Sequence, residues 1–317
     1  MKFLNTDNPL IIIDIGASGG IHLRWNKLDA YFKAILVEPD PREYNNLIKK
    51  LPGNYIVLNT ALYDSEGFID FNLCEKQMCS SIFNFDKEKI ERYAEAERLR
   101  IKDTIQIKVN TLDNEIKHKV SYVDFIKIDA EGSELFILKG AKDTLDSVIG
   151  LEIETSFLAV RQNQPLFQHV NEFMLDSGFQ LMDLRCDYWK RNITKYVKTN
   201  RKGQLIWADA LYFRSPEDLV TRPDFDLNKC LRAFFIYMSY GYHDFAQVLL
   251  NHAEELNIWT IDVEKYLKKY LNKKARHLIL PEFRGKGRMY KLILGVAELF
   301  QPRWWGAGGG IRLGNRF

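Results

Sequence analysis

Residues 123–141 read VDFIKIDAEGSELFILKGA. The segment opens with Val123, Phe125, Ile126 and Ile128, an apolar run short and β-branched enough to be a buried strand. The run stops at Asp129, and Glu131 and Glu134 follow with Gly132 between them. Leu135, Leu138, Ala141 and Leu145 then recur at helical spacing, which predicts a helix. Strand, acidic turn and helix form the repeating unit of an open α/β sheet. Ligands in such sheets sit outside the carboxyl ends of the strands, where these carboxylates fall. The same acids also suit the positive end of a helix with no ligand at all.

Upstream, residues 10–13 form a continuous apolar run suited to a central parallel strand buried on both faces. It leads into Asp14-Ile15-Gly16-Ala17-Ser18-Gly19-Gly20, followed by a segment compatible with a helix. A glycine turn there lets a ligand approach the backbone closely. The dinucleotide fingerprint places glycine where Asp14 stands, and a carboxylate would repel a pyrophosphate. It suits a cofactor with a cationic amine and no phosphate, which describes S-adenosylmethionine. Residues 34–37 form a second apolar run, ending at Glu38-Pro39-Asp40. An acid about twenty residues after the glycine turn is placed to accept from both ribose hydroxyls. Glu38 is assigned to the ribose, and Pro39 stops the strand from continuing.

Residues 55–58 read as a third strand leading through Ala61 to the turn at Ser65, and residues 68–73 as a hairpin strand inserted beside the sheet. Cys79-Ser80-Ser81-Ile82 can line a pocket, or simply form a loop. Residues 86–100 are highly charged in helical register and read as a surface helix or a lid. Residues 105–109, 148–153, 179–184 and 205–213 supply further strands, with an amphipathic helix at 168–176. Glu152 and Glu154 share one strand face, and Glu154 falls at its carboxyl end, beside the expected position of Asp129. Residues 185–203, with Tyr188 and Trp189, read as an acceptor-side loop.

At 317 residues the chain can bury a large core, and its composition is that of an ordinary globular protein. No apolar run approaches a membrane span, and the first ten residues lack a signal-peptide apolar segment. Cys74, Cys79, Cys186 and Cys230 are scattered without zinc spacing and read as reduced thiols of a cytoplasmic protein. The net charge of +3 hides an asymmetry: from Lys265 onward 13 Lys/Arg face two acids, a net of +11, leaving −8 for the preceding residues. An acidic body with a basic tail implies an anionic partner, or only a solvated helical face. Helical segments are predicted at 227–240 and 244–256 and around Tyr266, before Arg303-Trp304-Trp305. Paired tryptophans beside cations suit the inner membrane face or a lipid-linked acceptor, and equally a dimer seam. With no recognition fold visible, nucleic acid is not expected as a partner.

DIGASGG, LVEPD, FIKIDAEGSELFILKGA, LEIE, SGFQLMDL and ADALYF, in that order over about residues 11–214, resemble the FkbM-type methyltransferases. The third motif is the most specific. The family often has Asn where Ser18 stands, and both can hydrogen-bond. The resemblance implies a class I, Rossmann-like α/β fold, assigned to 1–215; residues 216–317 lie outside it and read from their own pattern as a mainly helical, basic extension. It implies S-adenosylmethionine as cofactor and hydroxyl groups of sugars or natural products as acceptors. Asp14, Gly16, Ala17, Ser18 and Gly19, then Glu38, Pro39, Ala61 and Asp129, are expected to hold the cofactor. Asp129, Glu131 and Glu154 are the candidate bases, His22 a lesser one; these carboxylates could also hold Mg²⁺, although no metal site is assigned. Two rival readings remain: a nicotinamide-dependent oxidoreductase, disfavoured by Asp14, and a non-catalytic scaffold recruited through the tail.

Overall fold

The computed structural model describes residues 7–22, 24–25, 31–51, 55–94, 96–192, 203–275, 281–300 and 306–307. In chain order, the first half contains β1 (Leu10–Ile15), β2 (Phe32–Val37), α1 (Pro41–Lys50), β3 (Tyr55–Leu58), β4 (Ala61–Leu62), β5 (Gly67–Cys74), α2 (Lys87–Ile90), β6 (Ile101–Asn110) and α3 (Leu112–Ile116). Then come β7 (Phe125–Ile128), α4 (Glu134–Lys139), α5 (Lys142–Ser147), β8 (Gly150–Ser156), α6 (Phe167–Asp176), β9 (Gln180–Trp189) and β10 (Gln204–Phe213). The remainder is α7 (Pro216–Thr221), α8 (Leu227–Tyr240), α9 (His243–Glu255), α10 (Ile261–Ala275), α11 (Lys286–Leu299) and the two-residue β11 (Gly306–Ala307).

The main sheet runs β11-β9-β10-β8-β7-β1-β2-β3. From β3 across to β8 neighbouring strands are parallel, and β10 inserts antiparallel between β8 and β9. This is the doubly wound order with one reversed strand added, and helices cover both faces. Period-two alternation sorts the core. Leu10 and Ile12 of β1 join α8, α9 and α10 on one side, while Ile11, Ile13 and Ile15 join α3, α4 and α6 on the other.

Four expectations are corrected. The helix predicted to run from Leu135 through Leu145 is two short helices broken at Gly140, where a Cβ would lie 2.2 Å from the Tyr63 carbonyl oxygen. The strand at 68–73 does not form a hairpin: β5 pairs antiparallel with β6 across the whole of residues 75–100, and β4-β6-β5 make a separate sheet. Residues 86–100 are not a surface helix, since among the described residues only Lys87–Ile90 is α-helical and Ile90, Tyr93 and Leu99 are buried. The loop read at 185–203 starts later, because β9 continues to a buried Trp189. Residues 1–6 and Arg303-Trp304-Trp305 lie outside the described residues, as does most of the segment after Gly20.

Helix α8 ties the C-terminal region to the sheet. Asp226 caps its start, accepting the Lys229 N–H at 2.7 Å, and Gly241 ends it in the left-handed region. It is apolar nearly all round and buried along most of its length. Of its two buried cations, Lys229 pairs with Asp224, while Arg232 donates from Nε to Asp124 Oδ1 at 2.7 Å, and Asp124 Oδ2 accepts the Ile11 N–H at 2.9 Å. One buried carboxylate thus joins β1, the approach to β7, and α8. Removing one partner of such a pair strands a buried charge. Arg232→Ala is expected to cost about 3 kcal/mol in urea unfolding, with part of it recovered in Arg232→Met/Asp124→Asn. A loss within about 0.5 kcal/mol, the scale of an ordinary surface change, would show that the pair does not hold α8.

Candidate functional site

A cavity of about 400 Å³ opens at the carboxyl ends of β1, β2, β7 and β8, within the roughly 300–1,000 Å³ of small-molecule sites. Its floor depends on Gly16. This residue has φ of +74° and donates its N–H to Val37 O at 3.0 Å, and a Cβ on it would stand 1.8 Å from the Asp129 carbonyl oxygen. The Asp129 N–H in turn donates to Ile15 O at 2.9 Å. The glycine turn and the acidic turn therefore pack backbone on backbone, and only glycine fits.

Glu38 lies at the end of β2, buried and lining the cavity, with Oε1 accepting the Asp40 N–H at 2.9 Å. Asn59 Nδ2 donates to the Glu38 carbonyl at 2.9 Å and fixes the turn. Burial raises the Glu38 carboxyl to about 7 against the single Asp40 N–H that lowers it. Pro39, Ala61, Gly16 and Ser18 also line the cavity.

Asp14, Ala17 and Gly19 do not. Asp14 is buried 3.6 Å from Lys127 Nζ, which also donates to Asp129 Oδ2 at 3.3 Å. Burial raises Asp14 to about 6 despite that lysine. Asp14 thus acts on the cavity through Lys127 and Asp129, not by lining it. The Gly19 N–H donates to Glu43 Oε1 at 3.2 Å, and Ala17 is core. His22 is exposed, its Nδ1 accepting the Arg24 N–H at 3.1 Å, and it does not line the cavity.

The acidic turn and β8 complete the wall. One carboxylate oxygen each from Asp129, Glu131 and Glu154 lies within 4.8 Å of the others. Glu131 takes a positive φ of 54°, its carbonyl accepts from Ser81 Oγ at 2.7 Å, and its carboxylate pairs with the buried Arg161. Glu134 faces inward instead, Oε1 accepting from Ala130 N at 3.1 Å and Gly132 N at 2.9 Å, so it holds the turn's shape. Burial, then the negative charges of Asp129 and Glu131, push Glu154 well above the usual carboxylate range.

Residues that sequence reasoning did not single out close the far side: Arg161, Asp187, Trp207 and Leu99. Trp189, read from the sequence as a loop residue, meets Trp207 edge-on with ring centroids 4.9 Å apart. No local motif marks these residues, because they come from strand ends and a loop far apart in the chain. Behind the wall, Arg185 Nε donates to Asp209 Oδ2 at 2.7 Å, and Tyr240 of α8 donates to Glu152 Oε2 at 2.9 Å.

Carboxylates of Glu38, Asp40, Glu43, Asp129, Glu131, Glu154 and Asp187 line this cavity, with Lys76 and Arg161 as its cations. A pyrophosphate would meet that field unfavourably, whereas a sulfonium and an ammonium fit it.

The sequence profile described as the methyltransferase FkbM domain matches residues 14–181, just over half of the chain. The chain belongs to the FkbM methyltransferase family. Its sheet order is accordingly that of a class I, Rossmann-like methyltransferase using S-adenosylmethionine. Among curated proteins, none matches this FkbM-family chain. Solved structures similar to it include precorrin-6y C5,15-methyltransferase from Geobacter metallireducens GS-15, 14% identical over 65% of this chain and 80% of that one, at a TM-score of 0.34. Magnesium protoporphyrin IX methyltransferase from Synechocystis PCC 6803, solved with bound SAM, is 9% identical over 66% and 72%, at 0.34. TrmK of M. capricolum, with S-adenosylhomocysteine, is 11% identical over 86% and 92%, at 0.32.

Two outcomes are expected of this FkbM-family site. Gly16→Ala should abolish measurable S-adenosylhomocysteine binding in calorimetry, while Gly19→Ala, whose Cβ would meet nothing within 4 Å, should weaken it less. Equal effects would show that the close approach does not matter. The second concerns pH. Asp14 and Asp209 titrate at about 6, Glu38 and Glu134 at about 7, all above their ordinary values of 3.8 and 4.5. Between those limits the folded chain holds more protons than the unfolded one, so stability falls as pH rises through the window. The ligand-free protein should melt higher at about pH 5.5 than at about pH 7.5, and Asp14→Asn should narrow the gap. A melting temperature rising over that interval would overturn burial as the governing effect.

Proposed function

We propose that this chain transfers the methyl group of S-adenosylmethionine to a hydroxyl of a sugar, glycan or glycolipid precursor. The observation carrying the reading is the convergence of Asp129, Glu131 and Glu154 on the wall of the cavity that Glu38 also lines. When bound, the cofactor supplies a methyl on a sulfonium centre, open to in-line displacement. Glu38 accepts the ribose hydroxyls, and the Gly16 turn lets the ligand lie against the backbone. Asp129, held by Lys127 from below, faces the cationic end.

An aliphatic hydroxyl attacks well only as its proton leaves, so a base must stand beside it. Glu154, whose raised carboxyl takes up a proton more readily than a free glutamate, suits that role when ionised. Glu131 is engaged by Arg161 and orients the pair, since its charge is already compensated. The aromatic edge of Trp207 with Trp189 offers an apolar face for a sugar ring.

Two measurements test this. S-adenosylhomocysteine should bind saturably and NADH should not, and Glu38→Ala should weaken the former by about tenfold to a hundredfold, the worth of a hydrogen bond to a charged group. With a panel of glycosides and methyl-labelled cofactor, label should appear on oxygen. Glu154→Gln should lower kcat by about a hundredfold or more while leaving product affinity nearly unchanged. Label on nitrogen or carbon would overturn the hydroxyl acceptor, and binding of NADH alone would overturn the reaction class.

A further inference from the structure

Helix α11 is solvated where every other long helix of the C-terminal region is packed. Of the side chains described in residues 287–300, all are exposed, Leu292, Leu299 and Phe300 by 70%, 80% and 81%. By contrast α8, of the same 14-residue length, buries most of its side chains. An isolated helix of that length is marginal in water and draws most of its stability from covering an apolar face. α11 has such a face and the described chain does not cover it. At 100° per residue Met289, Leu292, Ile293, Val296 and Phe300 fall within about 100° of arc, with Arg288 flanking that arc and Lys291 on the opposite side.

We propose that α11 is a peripheral docking helix that lies in the surface of an anionic lipid bilayer. The charge is complementary. Arg284, Lys286, Arg288 and Lys291 fall within eight residues, and the neighbouring acid, Glu282, is held by Lys286 at 2.5 Å. An anionic bilayer supplies both needs at once, a countercharge for these cations and an apolar layer for the leucine, isoleucine and phenylalanine side chains. No described helix is long and apolar enough to cross a membrane, so α11 lies on the surface and does not span it. Its contiguous apolar exposure exceeds the scattered single residues normal on a soluble surface.

The test uses the full chain. It is sedimented with vesicles of phosphatidylcholine alone and of phosphatidylcholine with added phosphatidylglycerol, alongside sedimentation equilibrium without lipid. The wild type should follow the anionic vesicles, more weakly as salt rises, and leave neutral ones in solution. Arg284→Ala/Arg288→Ala/Lys291→Ala should lower partitioning about a hundredfold, roughly fivefold per charge. Ile293→Glu/Val296→Glu should abolish it. Both variants touch only exposed positions, and unchanged S-adenosylhomocysteine affinity would verify that each is folded. Equal binding to neutral vesicles, no binding at all, or variants that bind as the wild type does would each overturn the proposal. Self-association of the wild type that Ile293→Glu/Val296→Glu removes would give the face to a second copy instead.

Discussion

Two turns in this protein touch backbone to backbone, and the site is built on that contact. With no side chain at Gly16, the loop after β1 lies directly against the Asp129 carbonyl, and the Asp129 N–H returns to Ile15 O at 2.9 Å. A turn that receives a ligand and a turn that presents carboxylates are thereby held in one register. Everything chemical about the cavity follows from that spacing: Glu38 enters from the neighbouring strand, Glu154 from β8, and Asp129 stands between them.

Concentrating acids at the carboxyl ends of adjacent strands is costly, and the protein offsets it in two ways. Lys127 sits beneath Asp14 and Asp129, and Arg161 and Arg185 reach Glu131 and Asp209 from behind. Burial also raises Asp14, Glu38, Glu134 and Asp209, so that protonation reduces the remaining charge. A cationic ligand would relieve the same repulsion, so affinity and the instability of the empty site share one electrostatic origin. Helix α8 supports the arrangement, with Arg232 on Asp124 and Tyr240 on Glu152. The C-terminal region therefore reaches the back of the site, whatever its own role.

Much of this was legible in order along the chain. Apolar runs ending in acids or glycines located β1, β2, β7 and β8, because a central parallel strand must be apolar on both faces and its loop must not be. The carboxylates at Asp129, Glu131 and Glu154 were legible too, since period two and strand ends determine where such residues point. Less visible was Asp14, whose motif suggested direct contact with the cofactor. It lies buried beside Lys127 and does not line the cavity, a setting that becomes visible only once the neighbouring strand is placed. The break at Gly140 was hidden as well, because the Tyr63 carbonyl that requires it lies in a different sheet-bearing segment.

By itself the sequence determined the alternation of strand and helix, the glycine that the first turn demands, the acids at strand ends, and the segregation of basic charge into the last fifty or so residues. These are local properties, set by periodicity, backbone freedom and charge along one chain direction. Only the tertiary structure decided that β10 inserts between β8 and β9, that Trp189 meets Trp207, that Arg161 holds Glu131, and that α8 is buried while α11 is not. Each of those joins residues distant in the chain, and both helices carry apolar residues in their sequence. Which of them finds a face to cover depends on the surface left by the rest of the fold, and that surface has no local signature.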